Sequence, residues 1–460
     1  MNGFAKTNRS STNAMQELSC ESLLNYGRAL CLFISQKTDR KPVVLVGRDT
    51  QRLSEVLEAA FVAGVTCAGG DCIRLGIVPV PAISYLVPKR KADIGVMLCT
   101  SPEDRQHSGI RLFSSSGFYL SCDETEKIEN LAATAADIPE NITNAQLGRQ
   151  IIDTKAQWDY NRKIISQINT HLHGVKVAVD CANGACSYTA KNVFEGVGAS
   201  CDIINAEPDG TNTNCIWGQS NTAAIKNYVV DKHYAAGIVF DGEGDKIGVV
   251  DETGAVVDND RLLSIFAQFY KSQNVLKEST VVTSTATNLG VANLCESIDC
   301  NVVCAKNGER YIAEKMLNSK YSLGGDANSH IFFESDIPVS DAQLTALRLI
   351  EVMVRSGKKL SELASVMERC GQVVLNIQIN PKCKEIWKND KKLVDYIEKC
   401  SQELGKNARI IVRECSNDEN TSIRVLVEGK NFDEINDYAM KIADKIKERV
   451  RPPKKSQTKS

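Results

Sequence analysis

Three acidic residues lie close together in one short stretch of this 460-residue chain. Asp241, Glu243 and Asp245 are separated by single glycines and directly follow an apolar run that predicts a buried strand. Because glycine permits the backbone of a tight loop, the three carboxylates can turn to the same side. Carboxylates packed together repel one another, and a hard cation that prefers oxygen ligands would relieve that repulsion. The stretch therefore indicates a divalent-metal loop.

Two other interpretations of the same acidic stretch are open. A solvated acidic turn is a common role for such acid–glycine pairs. A calcium loop of the EF-hand type would place Glu252 at its twelfth position, but Lys246 stands where that loop requires glycine, and residues 247–250 are typical of a strand. The residues alone leave the metal loop and the turn equally open and disfavour the calcium loop.

The bulk composition is that of an ordinary globular protein, with 43% hydrophobic and 24% charged residues. The net charge of −2 gives no reason to expect a nucleic-acid partner. The amino terminus lacks an apolar signal core and no run reaches membrane-spanning length, so we expect no membrane insertion and a cytoplasmic location. The 17 cysteines are scattered and histidines number five, which favours reduced thiols over zinc sites or disulfides.

The elements that would position the acids follow a repeated pattern. Residues 1–18 are polar and predicted to be irregular, and a helix is expected over Ser22–Ser35. A strand, a loop, a helix and a second strand then recur three times, with first strands at Pro42–Val46, Val175–Val179 and Val281–Val282. Because parallel strands need helical crossovers, the pattern predicts three related α/β domains.

Each repeat then offers a further apolar strand that ends in an unusual polar loop. These strands are predicted at Ile94–Leu98, Gly237–Phe240 and Tyr321–Leu323. Ligands of open α/β sheets gather at the carboxyl ends of strands. We therefore expect the three loops to meet in one cleft.

The pattern changes after residue 371. A strand at Val373–Ile379, a helix at Lys392–Leu404, strands at Arg409–Arg413 and Ile423–Val427, and an amphipathic helix at Phe432–Arg449 predict a small α+β domain. The predicted fold is thus three related mixed α/β domains plus a smaller C-terminal α+β domain around a central cleft. The predicted boundaries are 1–148, 149–255, 256–371 and 372–450, with a disordered tail at 451–460.

The order of these motifs resembles the α-D-phosphohexomutase family. The resemblance is carried by C-A-N-G-A (181–185), E-P-D-G-T-N-T-N (207–214), F-D-G-E-G-D-K (240–246), N-G-E-R-Y (307–311) and I-R-V-L-V-E-G (423–429). It implies four domains around a deep cleft and transfer of a phosphate between the C6 and C1 hydroxyls of a hexose through a phosphoserine. It also implies one Mg²⁺ ion as cofactor and a hexose phosphate of the glucosamine phosphate class as substrate.

Site residues follow from the resemblance, position by position. Ser101 falls on the phosphoserine, and Arg111 stands where the family places a lysine that assists proton transfer. The metal would be held by Ser101, Asp241, Glu243 and Asp245. The substrate would be bound by Lys246, Gly308, Arg310, Asp326, Asn328 and His330.

The chain also departs from the family pattern. Pro102, Glu103 and Asp104 replace H-N-P after the serine, which places two acids beside a phosphate dianion. Arg111 stays protonated and is a poor general base. Residues 415–421, at the phosphate loop, lack its arginine and glycine and add two acids. No counterpart of the family's amino-terminal motif precedes Val43.

Three functional hypotheses remain open from the sequence. The first is a phosphohexomutase with weak or altered activity. The second is a catalytically inactive paralogue with a binding or regulatory role. A homodimer or a regulatory protein partner is expected as a possible assembly of the chain. The third is a metal-dependent enzyme that uses another phosphosugar in the same cleft.

Overall fold

The computed structural model of the chain describes residues 12–13, 19–100, 107–134, 143–213, 219–335, 337–380, 387, 389–406, 408–416 and 421–450. By its contacts the chain divides into two compact units, the first comprising residues 1–286 and 295–366 and the second 287–294 and 367–460. The predictions for Ser101, for the centre of the phosphate loop and for the tail at 451–460 lie outside the described residues.

The first sheet of unit 1 has six strands in the order β1-β5-β4-β2-β3-β6. They span Thr12–Asn13 (β1), Val43–Arg48 (β2), Asp71–Ile77 (β3), Ile94–Thr100 (β4), His107–Ser114 (β5) and Gln150–Ile152 (β6). The helices of this region are Cys20–Ser35 (α1), Arg52–Cys67 (α2), Val80–Lys89 (α3) and Cys122–Thr134 (α4). Because β1 pairs with β5, the predicted irregular structure is wrong at Thr12–Asn13.

The second sheet has five strands in the order β11-β10-β9-β7-β8. They span Lys176–Asp180 (β7), Ser200–Ile204 (β8), Ala236–Phe240 (β9), Ile247–Asp251 (β10) and Val256–Val257 (β11). The helices are Ala156–Ile165 (α5), Ala190–Gly196 (α6) and Gln219–Lys232 (α7). Every residue of β9 is buried, as expected for an apolar strand covered on both faces of its sheet.

The third sheet has four strands in the order β13-β12-β14-β15. They span Thr280–Ser284 (β12), Asn301–Ala305 (β13), Leu323–Gly325 (β14) and Ile331–Phe333 (β15). The helices in this part of the sequence are Asn259–Ser272 (α8), Leu289–Ser297 (α9), Glu309–Ser319 (α10), Ala342–Ser356 (α11) and Leu360–Ala364 (α12). Helix α11 begins at a strong cap, since Asp341 accepts a hydrogen bond from the Leu344 amide at 2.9 Å.

The three sheets share one pairing pattern. The central strands β2, β7 and β12 each pair in parallel with two neighbours. The strands β4, β9 and β14 then each pair antiparallel with the strand that follows along the chain. This repetition confirms the three related α/β domains, while the residue boundaries between them stay predictions.

Unit 2 contains a three-stranded antiparallel sheet in the order β16-β18-β17. Its strands are Gly371–Ile379 (β16), Ala408–Ser416 (β17) and Thr421–Gly429 (β18), and its long helices are Lys391–Leu404 (α13) and Phe432–Arg449 (α14). Alternate residues of β18 pack against α14, as Ile423 and Val425 do against the helix residues Ile435 and Ile442. The predicted helix Phe432–Arg449 begins and ends at the predicted residues.

Among the described residues, none of the helices combines the length and the apolar character that a membrane span requires. The cysteines that the structure describes are free thiols, and several of them, such as Cys72 and Cys186, are buried.

Candidate functional site

The acidic stretch after β9 is a tight loop held by its first carboxylate. Asp241 Oδ1 accepts hydrogen bonds from the backbone amides of Gly244, Asp245 and Lys246 at 2.8, 3.1 and 3.2 Å. Gly244 has a φ of +75°, in the left-handed region that glycine favours. Asp241 therefore shapes the loop from which the other two acids project.

Residues at the starts of two helices hold the same loop from outside. The amide of Val80, at the start of α3, donates to the Glu243 carbonyl at 2.9 Å. The Ser340 hydroxyl, just before α11, donates to the Asp245 carbonyl at 2.7 Å. These bonds fix the loop backbone at the place where the first, second and third sheets meet.

The burial of the loop decides between the interpretations left open by the sequence. Asp241, Glu243 and Asp245 are 2%, 5% and 1% exposed, so the loop is not a solvated turn. Glu252 accepts a hydrogen bond from the Ser361 amide at 3.2 Å, after a complete β10, and takes no part in the loop. The calcium-loop interpretation is therefore also wrong, and a buried acidic cluster remains.

Arg111 lies on β5 and extends its guanidinium into this loop. Its Nη1 is 2.6 Å from Asp245 Oδ2, and its Nη2 forms an ion pair with Glu243. Nη1 also lies 3.5 Å from Glu309 Oε1 at the start of α10. The side chain is 2% exposed. One guanidinium from the first sheet thus joins carboxylates from the second and third sheets.

The loop after β14 brings a second cation to the cluster. His330 Nδ1 is 2.9 Å from Asp326 Oδ2, and Nε2 is 3.2 Å from Glu309 Oε2 and 3.7 Å from Asp245 Oδ2. Asp326 Oδ1 also accepts the His330 amide at 3.0 Å, which closes the loop. The loops after β9 and β14 therefore meet, as the sequence predicts for the strand ends.

The charges of the cluster shift the protonation of its members. Burial alone would lower the pKa of His330, but the Asp326 and Glu309 carboxylates raise it to about 10. Burial would raise the pKa of Asp245, but Arg111 and His330 hold it well below its usual range. Burial and the charge of Asp245 raise the pKa of Asp241 well above its usual range. The cluster is an ion-pair network with a protonated imidazole at neutral pH.

One set of side chains in the cluster has the spacing of a metal site. The candidate ligand atoms of Asp245, Glu309 and His330 lie within 4.8 Å of one another. However, His330 Nδ1 forms a hydrogen bond with Asp326 Oδ2, and Nε2 faces Glu309 Oε2 at 3.2 Å. With the imidazole protonated, as its raised pKa indicates, neither ring nitrogen offers a lone pair. The two carboxylates also face Arg111. As arranged, this set is an ion-pair network rather than a ligand set.

The remaining residues predicted for the site lie at its edge or away from it. Lys246 is 4% exposed and donates its amide to Asp241. Gly308 has a φ of +118° and precedes α10. Arg310 turns away, with Nη1 2.9 Å from Cys122 Sγ on α4. Asn328 is exposed and donates only its amide to the cluster, at 2.8 Å to Asp326 Oδ1.

The sequence reasoning missed Glu309. This residue lies between the predicted Gly308 and Arg310, is 7% exposed and faces both Arg111 and His330. A signal was available, because an acid at the first turn of a helix directly after a candidate binding glycine is a plausible inward-facing group.

Comparisons with known proteins agree with the repeated fold. Three models of the phosphoglucomutase/phosphomannomutase family match the chain, each an alpha/beta/alpha domain. Domain I matches residues 6–138, domain II residues 158–254 and domain III residues 258–370.

Similar proteins cover most of the chain. A phosphoglucosamine mutase of Clostridium acetobutylicum is 34% identical over 95% of this chain and 97% of its own. A phosphoglucomutase/phosphomannomutase family protein from Burkholderia thailandensis has a TM-score of 0.78 at 18% identity, covering 95% of this chain and 97% of its own. The Aspergillus fumigatus N-acetylphosphoglucosamine mutase in complex with GlcNAc-6P and magnesium has a TM-score of 0.60 at 15% identity. The match covers 81% of this chain and 93% of that protein's chain.

The sequence identity over almost the full length of both chains carries the assignment, and the shared fold agrees with it. The chain belongs to the phosphohexomutase family, and within that family it resembles the phosphoglucosamine mutases.

Proposed function

We propose that this chain binds a hexose phosphate of the glucosamine phosphate class and that its phosphoryl transfer is weak or altered. Family membership and the meeting of the loops after β9 and β14 support the binding of a phosphosugar at the three-sheet junction. Lys246, Gly308, Arg310, Asp326, Asn328 and His330 are the residues proposed to contact the substrate.

One observation supports the weak activity. The Arg111 guanidinium lies 2.6 Å from Asp245 and pairs with Glu243, at the position where the family pattern has a lysine. A guanidinium stays protonated and cannot take a proton from a sugar hydroxyl. Paired acids are also less free to hold a cation beside a transferring phosphate. Both effects reduce the electrostatic stabilisation on which phosphoryl transfer depends.

The prediction of one Mg²⁺ ion held by Ser101, Asp241, Glu243 and Asp245 stays a prediction. The magnesium complex of the Aspergillus fumigatus relative supports it by likeness of fold. The described side chains do not fit the ion, because Arg111 already faces Glu243 and Asp245. Ser101 stays the proposed phosphoryl acceptor.

A second candidate is a catalytically inactive paralogue with a binding or regulatory role. The observation that favours it is the burial of the charged groups, since Arg111, Asp245 and His330 are each no more than 2% exposed. Charged groups closed off in this way contact one another rather than a solvated ligand. A homodimer, a regulatory protein partner and a cytoplasmic location stay predictions.

Purified full-length protein, with Mg²⁺ and a hexose 1,6-bisphosphate activator, would be assayed on glucosamine 6-phosphate and on glucose 1-phosphate. We expect slow conversion of glucosamine 6-phosphate that Ser101→Ala abolishes. A matched control is Ser116→Ala, which changes an exposed serine after β5.

The outcomes separate the two candidates. Slow turnover lost in Ser101→Ala, together with phosphoserine at residue 101 by mass spectrometry, supports the mutase. No turnover and no phosphoserine, with saturable binding of glucosamine 6-phosphate by calorimetry, would leave the inactive binding protein. Neither turnover nor sugar phosphate binding would contradict both.

A further inference from the structure

Arg111 reaches the acidic loop from a strand of a different sheet. It lies on β5, opposite Met97 of β4, in the middle of an antiparallel pair. An arginine inside a buried strand requires partners, because a charge without them is costly to bury. Its partners are supplied by the loop after β9 and by the first turn of α10. The guanidinium is therefore held in place by its strand and its buried partners, unlike the end of a mobile surface side chain.

The two terminal nitrogens of this guanidinium serve different carboxylates. Nη1 forms an ion pair with Asp245 Oδ2 at 2.6 Å, and Nη2 forms an ion pair with Glu243. Glu309 Oε1 lies 3.5 Å from Nη1. A planar fork suits such pairing, and charge-assisted hydrogen bonds of this length are strong. The guanidinium thus lies between the acids that a bound cation would have to bring together.

Several carboxylate oxygens of the loop already have partners within the protein. Mg²⁺ needs near-octahedral oxygen ligands at about 2.0–2.1 Å. Asp241 Oδ1 already accepts three backbone amides, which leaves Asp241 Oδ2 as the acid oxygen of that residue without a hydrogen-bond partner. A divalent ion would also need Glu243 Oε2 and Asp245 Oδ2, and both of these oxygens face the Arg111 guanidinium.

We propose that the Arg111 guanidinium is the resident cation of the acidic loop, and that it replaces a divalent metal ion there. The folded chain then binds no Mg²⁺ at Asp241, Glu243 and Asp245. This holds whether or not the protein turns over a phosphosugar. The singly charged guanidinium occupies the place of a doubly charged ion. The folded structure of the loop therefore does not depend on a bound metal.

Manganese binding to the full-length protein tests the proposal, because free Mn²⁺ is measured directly by electron paramagnetic resonance without any enzymatic turnover. Wild type, Arg111→Ala and Arg111→Lys are titrated, with folding checked by circular dichroism. Arg90→Lys is the matched control, since Arg90 also bridges two carboxylates, Asp153 and Asp159 at 2.6 Å each, but lies outside the acidic loop.

We expect no stoichiometric site in wild type or in Arg90→Lys. The folded Arg111 variants should each bind one Mn²⁺ ion at least tenfold more tightly than any residual binding by wild type. Adding Asp245→Asn to Arg111→Lys should abolish this binding. Since Arg111→Ala leaves buried acids unpaired, Arg111→Lys serves if the alanine variant does not fold. The proposal is overturned if wild type binds one Mn²⁺ ion in a manner that Asp245→Asn abolishes. It is equally overturned if the folded Arg111 variants bind Mn²⁺ no more tightly than wild type.

Discussion

Two buried ion-pair clusters in unit 1 have opposite charge arrangements. Beside the first sheet, the buried Glu58 carboxylate lies between two guanidiniums, 3.1 Å from Arg48 Nε and 2.9 Å from Arg74 Nε, and Arg48 also pairs with Glu55 at 3.4 Å. At the three-sheet junction, the single guanidinium of Arg111 lies among three carboxylates. The first cluster is built from α2, β2 and β3 alone, whereas the second joins residues that are more than a hundred positions apart.

The two clusters differ in how much their charged side chains are exposed to solvent. The Arg48, Arg74 and Glu55 side chains are 14%, 32% and 66% exposed, so water can stabilise the charges around Glu58. Arg111, Asp245 and Glu309 have side chains that are 2%, 1% and 8% exposed, so their surplus negative charge must be balanced inside the protein. A proton on His330 and the guanidinium itself provide that balance. A cluster of this kind should be far more sensitive to loss of one cation.

The largest effect is expected from Arg111→Met. Removing one partner of a buried pair leaves an uncompensated charge and costs about 3–5 kcal/mol. We expect the free energy of unfolding of unit 1 to fall by about that amount in urea titrations with a chelator present. Arg111→Lys keeps the charge and should lose less. A methionine variant as stable as wild type would mean that the cluster contributes nothing.

His330 should make the junction sensitive to alkaline pH. Its pKa is about 10 in the fold against an ordinary 6.5, so the folded state holds a proton that the unfolded chain releases. The resulting stability is fully present below pH 6.5 and is lost as the pH rises toward 10, by about 1.4 kcal/mol per pH unit. Urea midpoints of wild type and His330→Gln between pH 6 and 10 would measure it. Parallel profiles for the two proteins would contradict the assignment.

Glu309→Gln should give an intermediate effect. The change keeps the size of the side chain but removes the charge that faces His330 at 3.2 Å. Because breaking a buried ion pair is destabilising, and Glu309 is one of several carboxylates that face His330, we expect a loss at pH 7 that is smaller than the loss in Arg111→Met. The pKa of His330 should also fall, which nuclear magnetic resonance of the imidazole would show. An unchanged imidazole pKa would show that the charge of Glu309 does not act on His330.

The smallest effect is expected from Glu58→Gln. Glu58 is buried, but its two arginines reach solvent and Arg48 also pairs with Glu55, so the charges that remain stay solvated and we expect a loss of about 1–2 kcal/mol. Urea unfolding beside Arg111→Met provides the measurement. Equal losses of unfolding free energy in the two variants would show that the two clusters do not differ in their contribution to stability.

Much of this architecture can be predicted from the sequence. The repeated apolar runs predict the three related sheets, because that signal is local. The glycine-spaced acids predict a tight loop after β9 but leave open whether it is buried or solvated. The helix Phe432–Arg449 is likewise predicted from its periodicity alone. The strand predicted at Tyr321–Leu323 in fact begins at Leu323, since a short strand carries too few residues for its period to define its ends.

The pairing of Arg111 cannot be predicted in this way. Its partner Asp245 lies 134 residues further along the chain, and their contact depends on how the sheets pack. The same holds for Arg310, whose side chain turns to Cys122 instead of the acids. The sequence does carry a hint, because an arginine in the apolar strand G-I-R-L-F must find acids.

Crystals of the full-length protein grown or soaked with Mn²⁺ would test the central claim most directly, with diffraction data collected at the manganese absorption edge. We predict no anomalous peak at the acidic loop and clear density for the Arg111 guanidinium between Glu243 and Asp245. An anomalous peak within coordination distance, about 2.0–2.4 Å, of the Asp241, Glu243 and Asp245 oxygens, with Arg111 turned away, would contradict it.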